Sequence, residues 1–572
     1  MRSHRIRRIV LAIGVLLAAV PLARAQQEQR AARPKPAKPK KKSMGQYKKI
    51  GRAMLTTIAK GEHDKAIASC RKLLADWPDD LEALYCLTIA YVRTGNFDEA
   101  MATAKKALAG GLPPGRFIAG PRDMLRPLVE SPRFGELFKG GRPELIHGPM
   151  LGSVTDERVR IWVRTASETT VQAVLHSQAP DELPIRSAAV KTSAGRDYTA
   201  VIEVSGLKPS RWYMYQLVIG GKATKLEAAP WFRTFPKRGE KCRFQIVFGG
   251  GAGYTPQHER MWNTVAGRKP TAFLTLGDNV YIDTPTVPAT QRYCYYRRQS
   301  RPEWRRFVAS VPVFSIWDDH DFGANDCLGS AGIDDIPWKL PVWGVFKENW
   351  VNPSYGGGRE APGVWYDFAI GDVDFFMLDG RYYRVRPKAA RRRKGKAATV
   401  EPAMAKPAVE PTMLGPVQEK WLLAKLAASK ATFKVLASPV PWAKGTKGGS
   451  KDTWDGFVEQ RERIFSYLAE KRIEGVYLIS ADRHRSDAWK TERPGAYPLY
   501  EANSSRLTNI HTHGAVKGSL FSYNKKCSFA LLTFDTTKAD PEIRYDVVTI
   551  DDEIMHTLTV KRSEISFAAK GK

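Results

Sequence analysis

Four short polar runs stand out in this 572-residue chain. They are Gly277-Asp278-Asn279-Val280-Tyr281-Ile282-Asp283, then Asp318-Asp319-His320-Asp321-Phe322-Gly323 with Asn325, then Asp379-Gly380-Arg381-Tyr382-Tyr383-Arg384, and last Ser480-Ala481-Asp482-Arg483-His484. Any one alone is weak, because an Asp at a strand end often only caps a helix or closes a turn. Four such runs close together are harder to dismiss. Carboxylates, Asn carbonyls and imidazoles can hold two cations near each other, with one Asp bridging them. Such a pair polarises a phosphoryl group and lowers the pKa of a bound water, generating hydroxide. Arg381 suits a bidentate clamp on phosphate oxygens. His320 suits a ligand, or a second-shell acid that protonates the leaving alkoxide. Tyr281 as a phenolate would favour a hard trivalent ion such as Fe(III).

The elements that must position these runs can be read from hydrophobic patterning. From about residue 240 the chain repeats apolar strand, polar loop and helix. Phe244–Phe248, Phe273–Leu276, Val313–Trp317, Phe375–Leu378, Lys434–Ala437 and Gly475–Ile479 are short apolar runs suited to strands buried on both faces. The polar runs lie just after them, at strand carboxyl ends, where α/β sheets place their ligands. A stretch rich in Lys, Arg, Ala and Pro, about 385–413, reads as a disordered surface insertion.

Two regions precede this one. Residues 146–236 hold short alternating runs such as Val159–Val163, Thr199–Val204 and Trp212–Leu217, separated by Gly, Pro and Ser. That pattern predicts a β-sandwich, which resembles a fibronectin-III-type domain. Residues 44–140 carry an internal repeat. Gly61-x-x-Asp64-x-Ala66-x-Ala68 recurs 34 residues later as Gly95-x-x-Asp98-x-Ala100-x-Ala102. Thirty-four is the tetratricopeptide period. Such helical units commonly bind peptides or partner domains, and with about two repeats packing against the rest of the chain fits equally well.

The N-terminus predicts export. Arg2, Arg5, Arg7 and Arg8 form a basic start, Ile9–Leu22 is an apolar run too short to span a bilayer comfortably, and Ala23-Arg24-Ala25 fits a cleavage site. Residues 1–25 are thus expected as a signal peptide, with Arg7-Arg8 a loose twin-arginine pattern, and 26–43 as a flexible basic linker. The protein is accordingly expected to be secreted or periplasmic. A net charge of +31 favours anionic partners: phosphate esters, nucleic acid or an acidic envelope surface. Six cysteines without a CxxC exclude a disulfide scaffold and a zinc ribbon. Cys70 and Cys86 could pair, or remain buried thiols.

The order Gly-Asp-x-x-Tyr, Trp-Asp-Asp-His-Asp, Leu-Asp-x-Arg-x-Tyr, Gly-Pro-x-Gln (Gly415–Gln418) and Ser-x-Asp-x-His resembles the alkaline phosphatase D (PhoD-like) family of metallophosphoesterases. The likeness covers about 145–560, the sandwich included. It implies a multidomain chain with a four-layer αββα metallophosphoesterase domain over 240–560. It also implies two or more metal ions, iron and calcium. By position, Asp278 corresponds to the bridging carboxylate, Tyr281 to a tyrosinate ligand, and Asp319 to a ligand beside His320. Asp482 and His484 correspond to the late ligand pair, and Arg381 to the motif arginine. Asn279, Asp318, Asp321, Asn325 and Asp379 are additional candidates from the same runs. The family's Ser-Cys, whose thiolate binds iron, is replaced here by Gly249-Gly250-Gly251. The site therefore uses a different metal, gains another ligand such as His258 or Glu259, binds one ion, or is inactive. The glycines could instead let backbone N–H groups approach a phosphate.

The expectation is an exported metal-dependent hydrolase of phosphomonoesters or phosphodiesters, with hydroxide attacking phosphorus in line and no phosphoenzyme. Two other readings fit the sequence: a basic nuclease-like diesterase, and a non-catalytic envelope binding protein acting through its repeats.

Overall fold

The apolar runs beyond residue 240 fold as the central strands of two sheets, because their side chains are covered on both faces. Strands β1 (Arg243–Gly249), β2 (Ala272–Leu276) and β3 (Val313–Ile316) run parallel. In the second sheet β4 (Val373–Met377), β5 (Phe433–Ala437), β6 (Val476–Ser480) and β7 (Leu499–Ser504) run parallel. Antiparallel strands close its edges: Tyr366–Ile370 on one side, Ser486–Thr491 and Phe521–Tyr523 on the other. The first sheet continues from β1 through antiparallel β8 (Ser528–Asp535) to Glu542–Thr549 and Ile554–Lys561. The computed structural model describes residues 47, 49–138, 141–179, 181–386, 410–448 and 452–567. The expected signal peptide, its twin-arginine pair, the basic linker and all but the ends of the expected insertion lie outside the described residues.

The two sheets meet face to face. Phe314 of β3 stacks on Phe368 with centroids 3.8 Å apart, and Phe534 of β8 sits between Phe375 and Phe433 at 5.7 and 6.1 Å. Helices cover both outer faces. Trp262 and Phe307 pack on Phe273 of β2, while Trp421 packs on Phe376 of β4. The result is an αββα stack.

The region before it forms two antiparallel sheets. One holds Leu145–Gly152, Arg158–Thr165 and Thr199–Ser205; the other is built on Thr170–Ser177 and Trp212–Ile219. Along Trp212–Ile219 exposed and buried positions alternate, as a strand with one wet face requires. Fully buried Arg164 ties this sandwich to the αββα region: it donates to Gln299 Oε1 at 2.6 Å and Asn349 Oδ1 at 2.9 Å.

The 34-residue repeat is two helix pairs: α1 (Ile50–Ala59) with α2 (His63–Asp76), and α3 (Leu81–Arg93) with α4 (Phe97–Ala109). Gly61 and Gly95 follow the first helix of each pair with φ of +82° and +76°, the left-handed backbone that ends a helix. Ala66 and Ala100 are fully buried where the helices touch. These helices dock on the αββα region through a buried polar cluster. Arg116 donates twice to Glu82, at 2.7 and 2.8 Å, and Tyr293 Oη donates to the same carboxylate at 2.6 Å. Gly51 of α1 permits this approach, since a Cβ there would strike the Tyr293 hydroxyl. All six cysteines are free; Cys70 lies against Met54 and Cys86 near the Gly51 carbonyl, so the Cys70–Cys86 pair does not form. Among the described residues no helix is long and apolar enough to cross a membrane.

Candidate functional site

The loops after β2, β3, β5, β6 and β7 open on one side of the stack, so polar residues that are far apart in sequence share a cavity. Its volume is about 630 Å³, and Asp278, Asp319, His320, Asn325, Asp482 and His484 line it, together with Asp283, Asp326, Lys447, Arg483, His511 and His513. Lys49 and Arg52 reach the same cavity from the helical region. Six of the thirteen non-glycine residues with positive φ among the described residues are here: Asp278, Tyr281, Asp283, Asp326, Asp482 and His484. Left-handed backbone costs energy for a residue with a Cβ, and such strain collects where side-chain placement serves function.

Asp278 is 3% exposed and accepts from the Tyr281 hydroxyl at 2.7 Å; His484 Nε2 lies 3.4 Å from the same oxygen and 3.2 Å from Tyr281 Oη. Asn509 Nδ2 donates to Tyr281 Oη. Burial, reinforced by Asp278, raises the Tyr281 phenol well above its ordinary value. His320 Nδ1 pairs with Asp283, and Arg52 of α1 pairs with the other Asp283 oxygen and donates to the Tyr281 carbonyl. Burial alone would lower His320, but Asp278, Asp319 and Asp283 hold it up at about 10.

The donor set fits cations. Asp278, Asp319 and His320 each offer an atom within 4.8 Å of the others, and Asp319, Asp326 and Asp452 form a second such group. Burial, with Asp278 close by, pushes Asp319 up to about 7 against the pull of Arg381. Asp318 rises well above its ordinary range for the same reasons, and its Oδ2 is buried with no hydrogen-bond partner among the described residues. Crowded buried carboxylates of this kind lack positive charge, which bound cations supply. Oxygen-rich groups of this type suit hard ions.

The glycine run is fixed by close packing. A Cβ on Gly250 would lie 2.8 Å from Ala481 Cβ, and one on Gly251, at φ +67°, would collide with the Ser505 carbonyl and lie 3.3 Å from His484 Cδ2. No side chain fits at either position. The phosphate-cradle expectation also fails here, since the N–H groups of Gly250, Gly251 and Ala252 donate to the carbonyls of Ser504, Gly277 and Asp278.

Several expected site residues do other work. Arg381 is fully buried: Nε donates to Asp318 at 2.6 Å, and the guanidinium fork grips Asp452 at 2.9 and 3.0 Å. The bidentate clamp is real, but it holds a carboxylate of the chain rather than a phosphate. Asn279 spends its amide on Thr275, the Ile316 carbonyl and Asp321. Asp321 accepts from the backbone of Asn279 and Val280, shaping the loop after β2. Asp379 accepts from Trp317 Nε1 and from the backbone N–H groups of Val364, Arg381 and Tyr382. Glu259 is fully buried against Arg298 and Trp262, so it does not replace the thiolate. His258 hydrogen-bonds the Thr508 carbonyl at 3.1 Å and is not among the residues lining the cavity.

Sequence reading did not single out Asp326, Asp452, Arg52, Lys447, Asn509, His511 or His513, and gave Asp283 no role. The alternation Asn509-x-His511-x-His513 was the one local signal available. Asp452 and Arg52 carry none, since their partners lie tens to hundreds of residues away.

Comparison with known proteins follows the same lines. The fold is that of two solved phosphatase structures. One, titled structure of PhoD, matches with a TM-score of 0.56 and 18% identity over 72% of this chain and 88% of that chain. The other, purple acid phosphatase PPD1 from yellow lupin (Lupinus luteus), matches with a TM-score of 0.50 and 12% identity over 73% and 75%. Residues 246–547 match the PhoD-like phosphatase family, more than half of the chain, and the chain belongs to that family. Residues 142–236 match a domain of unknown function (DUF7800), and 57–110 a tetratricopeptide repeat. Alkaline phosphatase D of Bacillus subtilis (strain 168) is 24% identical over 320 residues, 50% of this chain and 53% of the relative. The chain thus spans about half the length of the curated relative it matches.

Proposed function

We propose that this protein is an exported, metal-dependent hydrolase of phosphate monoesters or diesters. The observation that carries the reading is the convergence of Asp278, Asp319 and His320, donor atoms within 4.8 Å, in a cavity that Asp482 and His484 also line. Asp278, Asp319 and Asp482 would hold the cations through carboxylate oxygen, His484 through nitrogen and Tyr281 through its phenolate. Family resemblance points to Fe(III) and Ca2+, and the absence of any side chain at Gly250 and Gly251 argues that the iron-type site here lacks its thiolate. Cations held there supply Lewis-acid polarisation of the phosphoryl group and acidify the attacking water.

The chain's own groups do the rest. Asp283 holds Nδ1 of His320, so Nε2 is the nitrogen left to face the leaving alkoxide as its proton donor. Arg52 locks Asp283 from the helical region, so the repeats complete the proton donor's support. With Arg381 committed to Asp318 and Asp452, the cations that reach the cavity are Lys49, Arg52, Lys447 and Arg483. Their positive charge would draw a phosphate ester to the cavity, although Arg52, Lys447 and Arg483 are themselves paired with Asp283, Asp326 and Asp482. Export rests on the basic and apolar start of the sequence, and the outer faces of the repeats remain the surface on which a peptide or protein partner would dock.

The test is turnover of a chromogenic aryl phosphate by purified, metal-reconstituted protein. Asp278→Asn should abolish it and lower the bound metal content. Undiminished activity in that variant would overturn the assignment.

A further inference from the structure

We propose that the cleft where the helical repeats, the β-sandwich and the αββα region meet binds an apolar carboxylate, a small molecule with a hydrocarbon tail and one carboxylate head. Two adjoining cavities of about 950 and 770 Å³ form this cleft and share Pro113, Pro143, Leu145, Ser300 and Arg305 as walls. Each is large enough for a small organic ligand. Neither shares a lining residue with the cavity that holds Asp278.

The larger cavity suits the tail. Leu108 stands near the end of α4, Leu137 and Phe138 follow the short helix Pro132–Gly135, and Leu145 and Ile146 begin the strand Leu145–Gly152. Leu108, Leu137 and Phe138 are only half-buried, so a hydrocarbon chain laid between these elements would cover apolar surface that all three leave open. Each methylene buried there strengthens binding about fourfold.

The wall common to both cavities suits the head. Arg305, on the helix Pro302–Val308, donates to the Gly148 carbonyl at 3.1 Å and forms no ion pair among the described residues. Glu227, on the smaller cavity, pairs at 3.8 Å with the neighbouring Arg306 instead. Burial lowers the Arg305 guanidinium below its ordinary value, so a carboxylate would meet a poorly hydrated cation with N–H groups to spare. Ser300 supplies a second donor. Arg164 donates to His147 Nδ1 at 2.8 Å, and burial and Arg164 keep that imidazole neutral, so its proton sits on Nε2. Nε2 lies 2.8 Å from Ser300 Oγ and donates to it, which leaves the serine hydroxyl proton for a group in the cleft. The same polarity excludes a nucleophilic serine, since the imidazole turns no lone pair toward Oγ. Across both cavities Lys105, Lys222 and Lys225 outnumber Glu136 and Glu144, which also favours an anion.

The test reads binding alone, so it does not depend on whether the protein hydrolyses phosphate esters. Full-length protein is titrated by calorimetry with decanoate, hexanoate and uncharged decanol, each below its aggregation limit, and Tm is followed with each ligand. Decanoate should bind once per chain and raise Tm. Hexanoate, four methylenes shorter, should bind at least about 30-fold more weakly, and decanol at least about tenfold more weakly. Arg305→Met, which keeps the length of the side chain and removes its charge, should weaken decanoate at least about tenfold and leave decanol unchanged. Leu137→Asp, on the tail wall, should weaken both, and circular dichroism confirms that each variant is folded. No binding of decanoate at millimolar concentration would overturn the proposal. Equal affinity for decanoate and decanol, or decanoate binding unchanged in Arg305→Met, would also overturn it and make the cleft a general apolar surface such as a polypeptide segment covers.

Discussion

Replacing Arg381 by Gln separates a structural strut from a substrate clamp. In the fold its guanidinium joins Asp318 at 2.6 Å to both oxygens of Asp452 at 2.9 and 3.0 Å, with all three side chains at most 1% exposed. Asp452 would keep Arg384, at 2.6 Å, and Lys447, at 3.6 Å. Asp318 would lose the only cation it is paired with among the described residues. Removing one partner of a buried pair costs about 3–5 kcal/mol, because the remaining charge is left dry. The family match spans residues 246–547. A cooperative unit of that size unfolds with an entropy of roughly 0.6 kcal/mol/K, so a loss of about 4 kcal/mol lowers Tm by roughly 6 °C. Differential scanning calorimetry reads this directly, and steady-state kinetics on an aryl phosphate run alongside. The expected result is that drop in Tm with KM within about threefold of wild type. An unchanged Tm with a KM raised about 100-fold would refute the reasoning and return Arg381 to the phosphate.

Two further outcomes follow from the docked helices. Arg52→Leu removes the group that holds Asp283, and with it the orientation of His320. We expect kcat on the aryl phosphate to fall roughly 10- to 100-fold with the fold intact, and Arg52→Lys to recover part of it; a kcat within twofold of wild type for Arg52→Leu would exclude the link. Burial alone would raise the Glu82 carboxyl, but Arg116 holds it down at about 2, below its ordinary value of 4.5. A depressed folded value stabilises the protein above pH 4.5 and loses that stabilisation, about 3 kcal/mol, as pH falls from 4.5 toward 2. Urea midpoints measured across that window should fall steeply for wild type and more shallowly for Glu82→Gln, and parallel slopes would contradict the assignment.

The sequence by itself determined the strands and where the polar runs sit on them. A strand buried on both faces must be apolar along its length, and the first polar residues after it mark its end, so Asp278, Asp319 and Asp482 could be placed at strand termini without a structure. The 34-residue repeat was legible for a similar reason: Gly61 and Gly95 meet a local backbone requirement, positive φ after a helix. What each polar side chain does was settled only by the tertiary structure. A guanidinium fork fits a carboxylate as well as a phosphate, and Arg381 met Asp452, 71 residues on, before it could meet a substrate. Asn279, Asp321 and Asp379 have the composition of ligands, but neighbouring backbone and side-chain groups use up their hydrogen-bonding capacity. Arg52 entered the site across 229 residues to reach the Tyr281 carbonyl, and His511 and His513 entered when a loop was pinned beside His484. Local pattern encodes the element and its end; which groups meet there depends on packing between distant segments, and no spacing along the chain records it.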